Sequence, residues 1–168
     1  VVTSYNHVPY ETEINVIAPD GSYMLLDGFS LSSGSDEVIA FSESVELTMN
    51  IENVGTEASG EIVATLVPQT DNVYMTIPVV EVDPVSSGDI VAVGPFGFDV
   101  PINIPDQEDI VFHLYIQDDQ QSWEYPMSLN VNAPAYELSS SFIFDGDNGS
   151  LDPGESATIQ LVLENMGS

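Results

Sequence analysis

The sequence contains no lysine and no arginine, against 28 aspartates and glutamates in 168 residues. Average usage would supply roughly 20 basic residues. With that absence no Lys or Arg ion pair can form anywhere, and the formal net charge is −28. Nucleic acid is excluded as a partner, because phosphate recognition depends on basic side chains, and an anionic membrane surface would repel the chain. Self-repulsion has to be relieved by salt, bound cations or low pH. A saline habitat, an acidic habitat and exposure to proteases that cut after Lys and Arg each account for the bias, and the sequence does not choose among them.

Cysteine is also missing, which removes disulfides, thiolate metal sites and a cysteine nucleophile. Histidine occurs twice, as His7 and His113. Both fall out of phase with the neighbouring apolar faces and read as solvent-side strand residues. No apolar run approaches the roughly 20 residues of a membrane-spanning helix, so membrane insertion is not expected. No Ser-His-Asp set, phosphate-cradling glycine loop or basic oxyanion stabiliser stands out, and the chain reads as non-enzymatic. A start at Val1 without a signal peptide reads as a processed chain or an excerpt.

What is present is a core. Hydrophobic residues make up 43% of the chain, enough for a globular fold despite the charge, and 12 Gly and 11 Pro divide it into short segments. Alternating apolar positions predict strands at Tyr23–Leu31, Val45–Ile51, Ile62–Leu66, Val73–Ile77, Phe96–Val100, Ile110–Ile116 and Trp123–Val131. Val79–Val82, flanked by prolines, reads as a short edge piece. Seven or eight short strands without a helical period predict an all-β, antiparallel sandwich. Trp123, Tyr125, Tyr10 and Phe112 could line a sugar-binding face, but at strand spacing they read as core.

The chain also echoes itself. Glu43–Gly55 and Glu155–Gly167 share Glu, Ser, Glu, Asn and Gly at a spacing of 112, and their apolar alternation coincides. Tyr136–Phe144 repeats Tyr23–Leu31 at 113, with Tyr23 and Phe29 matched to Tyr136 and Phe142. The run Val8, Tyr10, Thr12, Ile14, Val16 repeats the Trp123–Val131 strand at 115. These offsets predict tandem repeats of about 113 residues: a final strand of one repeat in 1–20, a complete repeat in 21–134, and the opening strands of another in 135–168.

One turn concentrates oxygen donors. Asp145, Asp147, Asn148, Asp152 and Glu155 lie within a few residues of Gly146 and Gly149, a density of hard ligands that suits calcium. The spacing is not that of an EF-hand, and an Asx-rich turn satisfied by its own amides is the competing reading. The corresponding turn of the full repeat, Ser32–Glu37, has lost most of these carboxylates. Asn148-Gly-Ser150 is an acceptor pattern for N-glycosylation, common by chance.

The order of acidic turn, Leu151-Asp-Pro-Gly-Glu155, alternating strand and Glu164-Asn-Met-Gly167, together with Ala58-Ser-Gly-Glu-Ile-Val-Ala-Thr-Leu66 and a late aromatic strand, resembles the CARDB-like immunoglobulin-type repeats. These occur in large secreted bacterial and archaeal proteins, including regions that follow gingipain-type peptidase domains. The resemblance implies a non-catalytic, extracellular or cell-surface module of adhesion, spacing or assembly, while the partial repeats in 1–20 and 135–168 predict neighbouring repeats or other copies of itself as partners, in a tandem array or by head-to-tail strand exchange. The alternative it leaves is an accessory module of a secreted hydrolase that binds glycan or protein.

Overall fold

The computed structural model describes residues 5, 6, 8, 13, 17, 19–33, 38–146 and 150–168. Most of the run from Val8 to Val16, together with His7, Tyr10 and the turn at 34–37, lies outside them. The described chain is all-β: β1 Met24–Ser33, β2 Ser44–Asn53, β3 Ile62–Pro68, β4 Tyr74–Ile77, β5 Val79–Val82, β6 Ile90–Asp99, β7 Glu108–Gln117, β8 Ser122–Val131, β9 Tyr136–Phe144 and β10 Thr158–Asn165. One four-stranded sheet has the order β1-β2-β6-β4, a second has β5-β3-β7-β8, and β9 and β10 form a two-stranded sheet. All pairings between strands are antiparallel.

The two larger sheets form a sandwich because their strands alternate. Val45, Leu47, Met49 and Ile51 of β2 and Ile110, Phe112, Leu114 and Ile116 of β7 are buried, while their neighbours turn outward. Phe98 of one sheet meets Phe112 of the other with ring centroids 4.9 Å apart. Trp123 is buried and Tyr125 half-buried against this core, as expected of aromatics at strand spacing. Tyr23 packs edge-on to Trp123 at 6.2 Å.

Pro78 is a crossing point. β4 ends beside it and pairs with β6, whereas β5 begins after it and pairs with β3, so the chain passes from one sheet to the other over a single residue. Each half is four residues long and forms a sheet edge, the position proline tolerates. β6 starts at Ile90, earlier than the pattern predicts. Gly94-Pro95 reads as a break, yet the ladder absorbs it as a bulge between the pairs Leu47–Phe96 and Met49–Val93.

The β9–β10 ladder reproduces that of β1–β2 with both strands displaced by 112 positions. Met24 pairs with Asn53 and Tyr136 with Asn165; Leu31 pairs with Leu47 and Ile143 with Ile159. The bulge falls at the same place, skipping Asp27 in one ladder and Ser139 in the other. This corrects the offset of 113 for the first strand. Phe29 lies across from Met49, on the core side, and its counterpart is Ser141; Phe142 lies across from Gln160, on the opposite face.

Candidate interaction surface

The resemblance between the two ladders ends at burial. In β2 the apolar face is sealed by the second sheet, with Leu47, Met49 and Ile51 at 0% exposure; their counterparts Ile159, Leu161 and Leu163 are each 57% exposed. Tyr136, Leu138 and Ile143 of β9 are exposed as well. Within the two strands only Glu137 and Glu164 carry charge, and they stand opposite one another. The described residues of β9 and β10 thus present a contiguous, nearly uncharged apolar face on a chain of net charge −28.

An asparagine and a glycine close each ladder. Asn53 is fully buried, and its Oδ1 accepts from Tyr23 N at 3.1 Å and Gly55 N at 3.0 Å. Its Nδ2 donates to Glu57 O at 2.8 Å and Val85 O at 2.9 Å. Asn165 Oδ1 accepts from Ala135 N at 2.9 Å and Gly167 N at 3.1 Å. The glycine two residues on is required by crowding: a Cβ on Gly55 would lie 2.1 Å from Gly21 O, and one on Gly167 would lie 2.2 Å from Ala133 O. Asn-x-Gly was legible as a turn signal; that the amide would pin the start of the partner strand was not, because the partner is about 30 residues away.

Two aspartates mark where the chain enters and leaves the sandwich. Asp118, just past the end of β7, accepts from Ser22 Oγ at 2.9 Å, Gln120 N at 2.8 Å and Gln121 N at 2.7 Å. Burial pushes its carboxyl upward, but these hydrogen bonds and one from the Gly60 amide prevail and hold it below the usual aspartate value. Asp106, just before the start of β7, accepts from Ala133 N at 2.8 Å, Ser168 Oγ at 2.6 Å and Ser168 N at 3.3 Å. The Ala133 amide first, then the Ser168 hydroxyl, hold its carboxyl below the usual value. Gln107 Nε2 completes the link by donating to Ser168 Oγ at 2.8 Å. Entry at Ser22 and exit at Ala133 thus sit at opposite ends of β7, a separation of roughly 33 Å for ten strand residues.

Of the residues expected to hold calcium, Asp147 and Asn148 lie outside the described residues. Asp145, Asp152 and Glu155 are described. Glu155 Oε2 accepts from Asp152 N at 2.9 Å and Glu155 N donates to Asp152 O at 3.1 Å, so these two close the Pro-Gly corner on itself. No group of three or more acidic or histidine side chains gathers into a metal-binding set among the described residues.

His113 lies on the outer face of the second sheet, partly covered. Its Nδ1 is 2.5 Å from Glu124 Oε1 on β8, the one ion pair among the described residues if the ring is protonated. Burial, then the Glu124 charge, push the neighbouring Tyr115 phenol up.

No protein-family model matches the chain, and no curated protein matches it either. The likeness to CARDB-like repeats therefore rests on the motif residues alone.

Proposed function

We propose that this chain is a non-enzymatic structural module, a stretch of a tandem array of immunoglobulin-like sandwiches in an extracellular or cell-surface stalk or fibre. One observation carries the reading: a ladder with the register, bulge and Asn-Gly closure of β1–β2 recurs at the exit end of the sandwich, opposite the end at which β1–β2 is entered. Units joined at opposite ends line up lengthwise. The Asp106–Ser168 link would fix the angle between neighbours. The acidic coat would keep long arrays from collapsing on one another. A calcium ion held by Asp145, Asp147, Asn148, Asp152 and Glu155 would stiffen the turn between units, and scattering with calcium against chelator tests that part of the reading.

Small-angle scattering of the whole chain tests it, alongside a glycan array and a broad hydrolase screen. A compact 168-residue globule would have a radius of gyration of about 15 Å. The expected particle is clearly longer and turns over no substrate. A radius near the compact value overturns the array reading, and robust glycan binding by the monomer favours an accessory binding module instead.

A further inference from the structure

The two sheets show what stands where bases would. On the outward rows of β2, β3, β7 and β8 the acids are Glu46, Glu52, Asp109 and Glu124, and β3 has none. Solvent-facing strand positions are where Lys and Arg ordinarily sit. Here, His113 apart, the remaining places hold residues without charge, among them Asn50, Thr65, Gln117 and Ser128. Charged residues make up 17% of the chain, below the roughly 25% of an average protein. Bases have been removed far more thoroughly than acids have been added. A saline habitat acts through dense carboxylates, and on these faces carboxylates are sparse. An acidic habitat is opposed by the carboxylates that the fold uses as acceptors. Glu43 Oε2 takes the Ser33 hydroxyl at 2.5 Å and the Ala40 amide at 3.0 Å, and Asp118 is held by Ser22, Gln120 and Gln121. Such bonds weaken once the acceptor is protonated.

What is avoided is therefore the basic side chain itself, at every position and in both kinds. Chemistry that acts on amines reads Lys and leaves Arg alone. Anionic surfaces attract clusters of bases and tolerate single ones. Peptide cleavage directed by a cationic side chain acts on one Lys or one Arg alike, wherever the backbone can be reached. We propose that this chain works beside an endopeptidase that cuts after Lys and Arg, and that it is written without the residues such an enzyme reads. The inference goes beyond the array reading and stands without it. The fold supplies the reason for so complete an exclusion, since its connections are open: Glu57 between β2 and β3, Asn103 between β6 and β7, and Glu155 before β10 are all exposed. Exposed loops are the preferred sites of nicking.

The test exposes the whole chain, in about 0.1 M salt at neutral pH, to trypsin and in parallel to an endopeptidase that cuts after Glu. The second enzyme should nick the folded chain at connections such as those of Glu57 and Glu155, while trypsin leaves it whole. Asn50→Lys and Ser128→Lys, on outward strand positions, should melt within about 5 °C of the parent chain. Glu57→Arg and Asn103→Arg should be lost to trypsin at least about tenfold faster than those two, because a loop opens more readily than the middle of a strand. A folded chain that resists the Glu-directed enzyme, or loop variants that trypsin spares, would leave the missing bases without protective effect and overturn the proposal. Lysine variants that fail to fold would overturn it too, by showing that the fold itself excludes bases. So would a chain that folds only in molar salt or only below about pH 4, which would return the bias to its habitat.

Discussion

Asn53 and Asn165, 112 positions apart, each turn a side-chain oxygen onto the amide that precedes or opens the partner strand and onto the amide of a glycine two residues on. Asn53 is fully buried, and its amide protons go to two further carbonyls, whereas Asn165 is exposed. Asn53→Ala leaves those buried groups without partners and should cost about 3 kcal/mol in denaturant unfolding of the sandwich. Asn165→Ala should cost less than about 1 kcal/mol in the same transition, because water can reach the groups it abandons. Equal losses would show that the second ladder is part of the same cooperative unit.

Gly55→Ala places a methyl where Gly21 O already stands. The entry segment must shift, and a destabilisation of about 3 kcal/mol or more is expected by thermal or chemical unfolding. Gly167→Ala meets the same crowding at Ala133 O, yet it should leave the sandwich transition where it is and raise amide exchange in β9 and β10.

Acid should act at the two ends of β7. Asp118 and Asp106 both have carboxyls held below the usual value in the folded chain. Groups of this kind contribute stability that is present above the unfolded value, about 3.9, and is lost as pH falls through the folded one. That contribution is therefore lost below about pH 4, working against the relief of self-repulsion as the other carboxylates protonate, and Asp118→Asn should remove this loss while lowering stability at neutral pH by about 2 kcal/mol. Asp106→Asn should lower sandwich stability less than Asp118→Asn does and abolish the protection of the Ser168 amide in hydrogen exchange. A neutral-pH melting temperature unmoved by Asp118→Asn would overturn the assignment of that carboxylate as a structural acceptor.

Salt should stabilise the fold. With no Lys or Arg, side-chain charge interactions among the described residues are repulsive apart from the His113–Glu124 contact. Raising sodium chloride from about 0.1 to 1 M shortens the screening length from about 10 to 3 Å, so the melting temperature should climb across that range. A chain with balanced charge would show little trend. Glu124→Gln should have almost no effect, being one exposed pair.

Strand identity was legible wherever burial alternates, as in β2 and β7, because a side-chain period of two leaves a plain trace. The short edge strands after Pro68 were legible from their prolines. The early half of β6 was not, since Gly94-Pro95 reads as a stop and only the partner strand shows that a bulge absorbs it. Phe29 was matched to the wrong counterpart for a related reason: a bulge at Asp27 reverses the phase, and nothing in Leu-Asp-Gly-Phe says which residue is skipped. The oxygen-rich turn was conspicuous, and within it the Glu155 carboxylate accepts from the backbone amide of Asp152 and so helps to close the corner. Asp106 and Asp118 were invisible among 28 acids, because their importance comes from amides brought to them by tertiary structure.

The stretch around Ala40 runs parallel to the end of β8, where Phe41 N donates to Asn132 O at 3.0 Å and Asn132 N to Ile39 O at 2.9 Å. Tension applied along the chain draws Ile39 toward the entry and Asn132 toward the exit, in opposite directions along a parallel pair. Both bonds are then loaded in shear and must fail together, unlike the rungs of a hairpin, which peel one after another. The antiparallel β1–β2 ladder, pulled from Met24, is loaded along its length as well. A module built this way would yield to force abruptly, as a latch does, and would hold its length until it did.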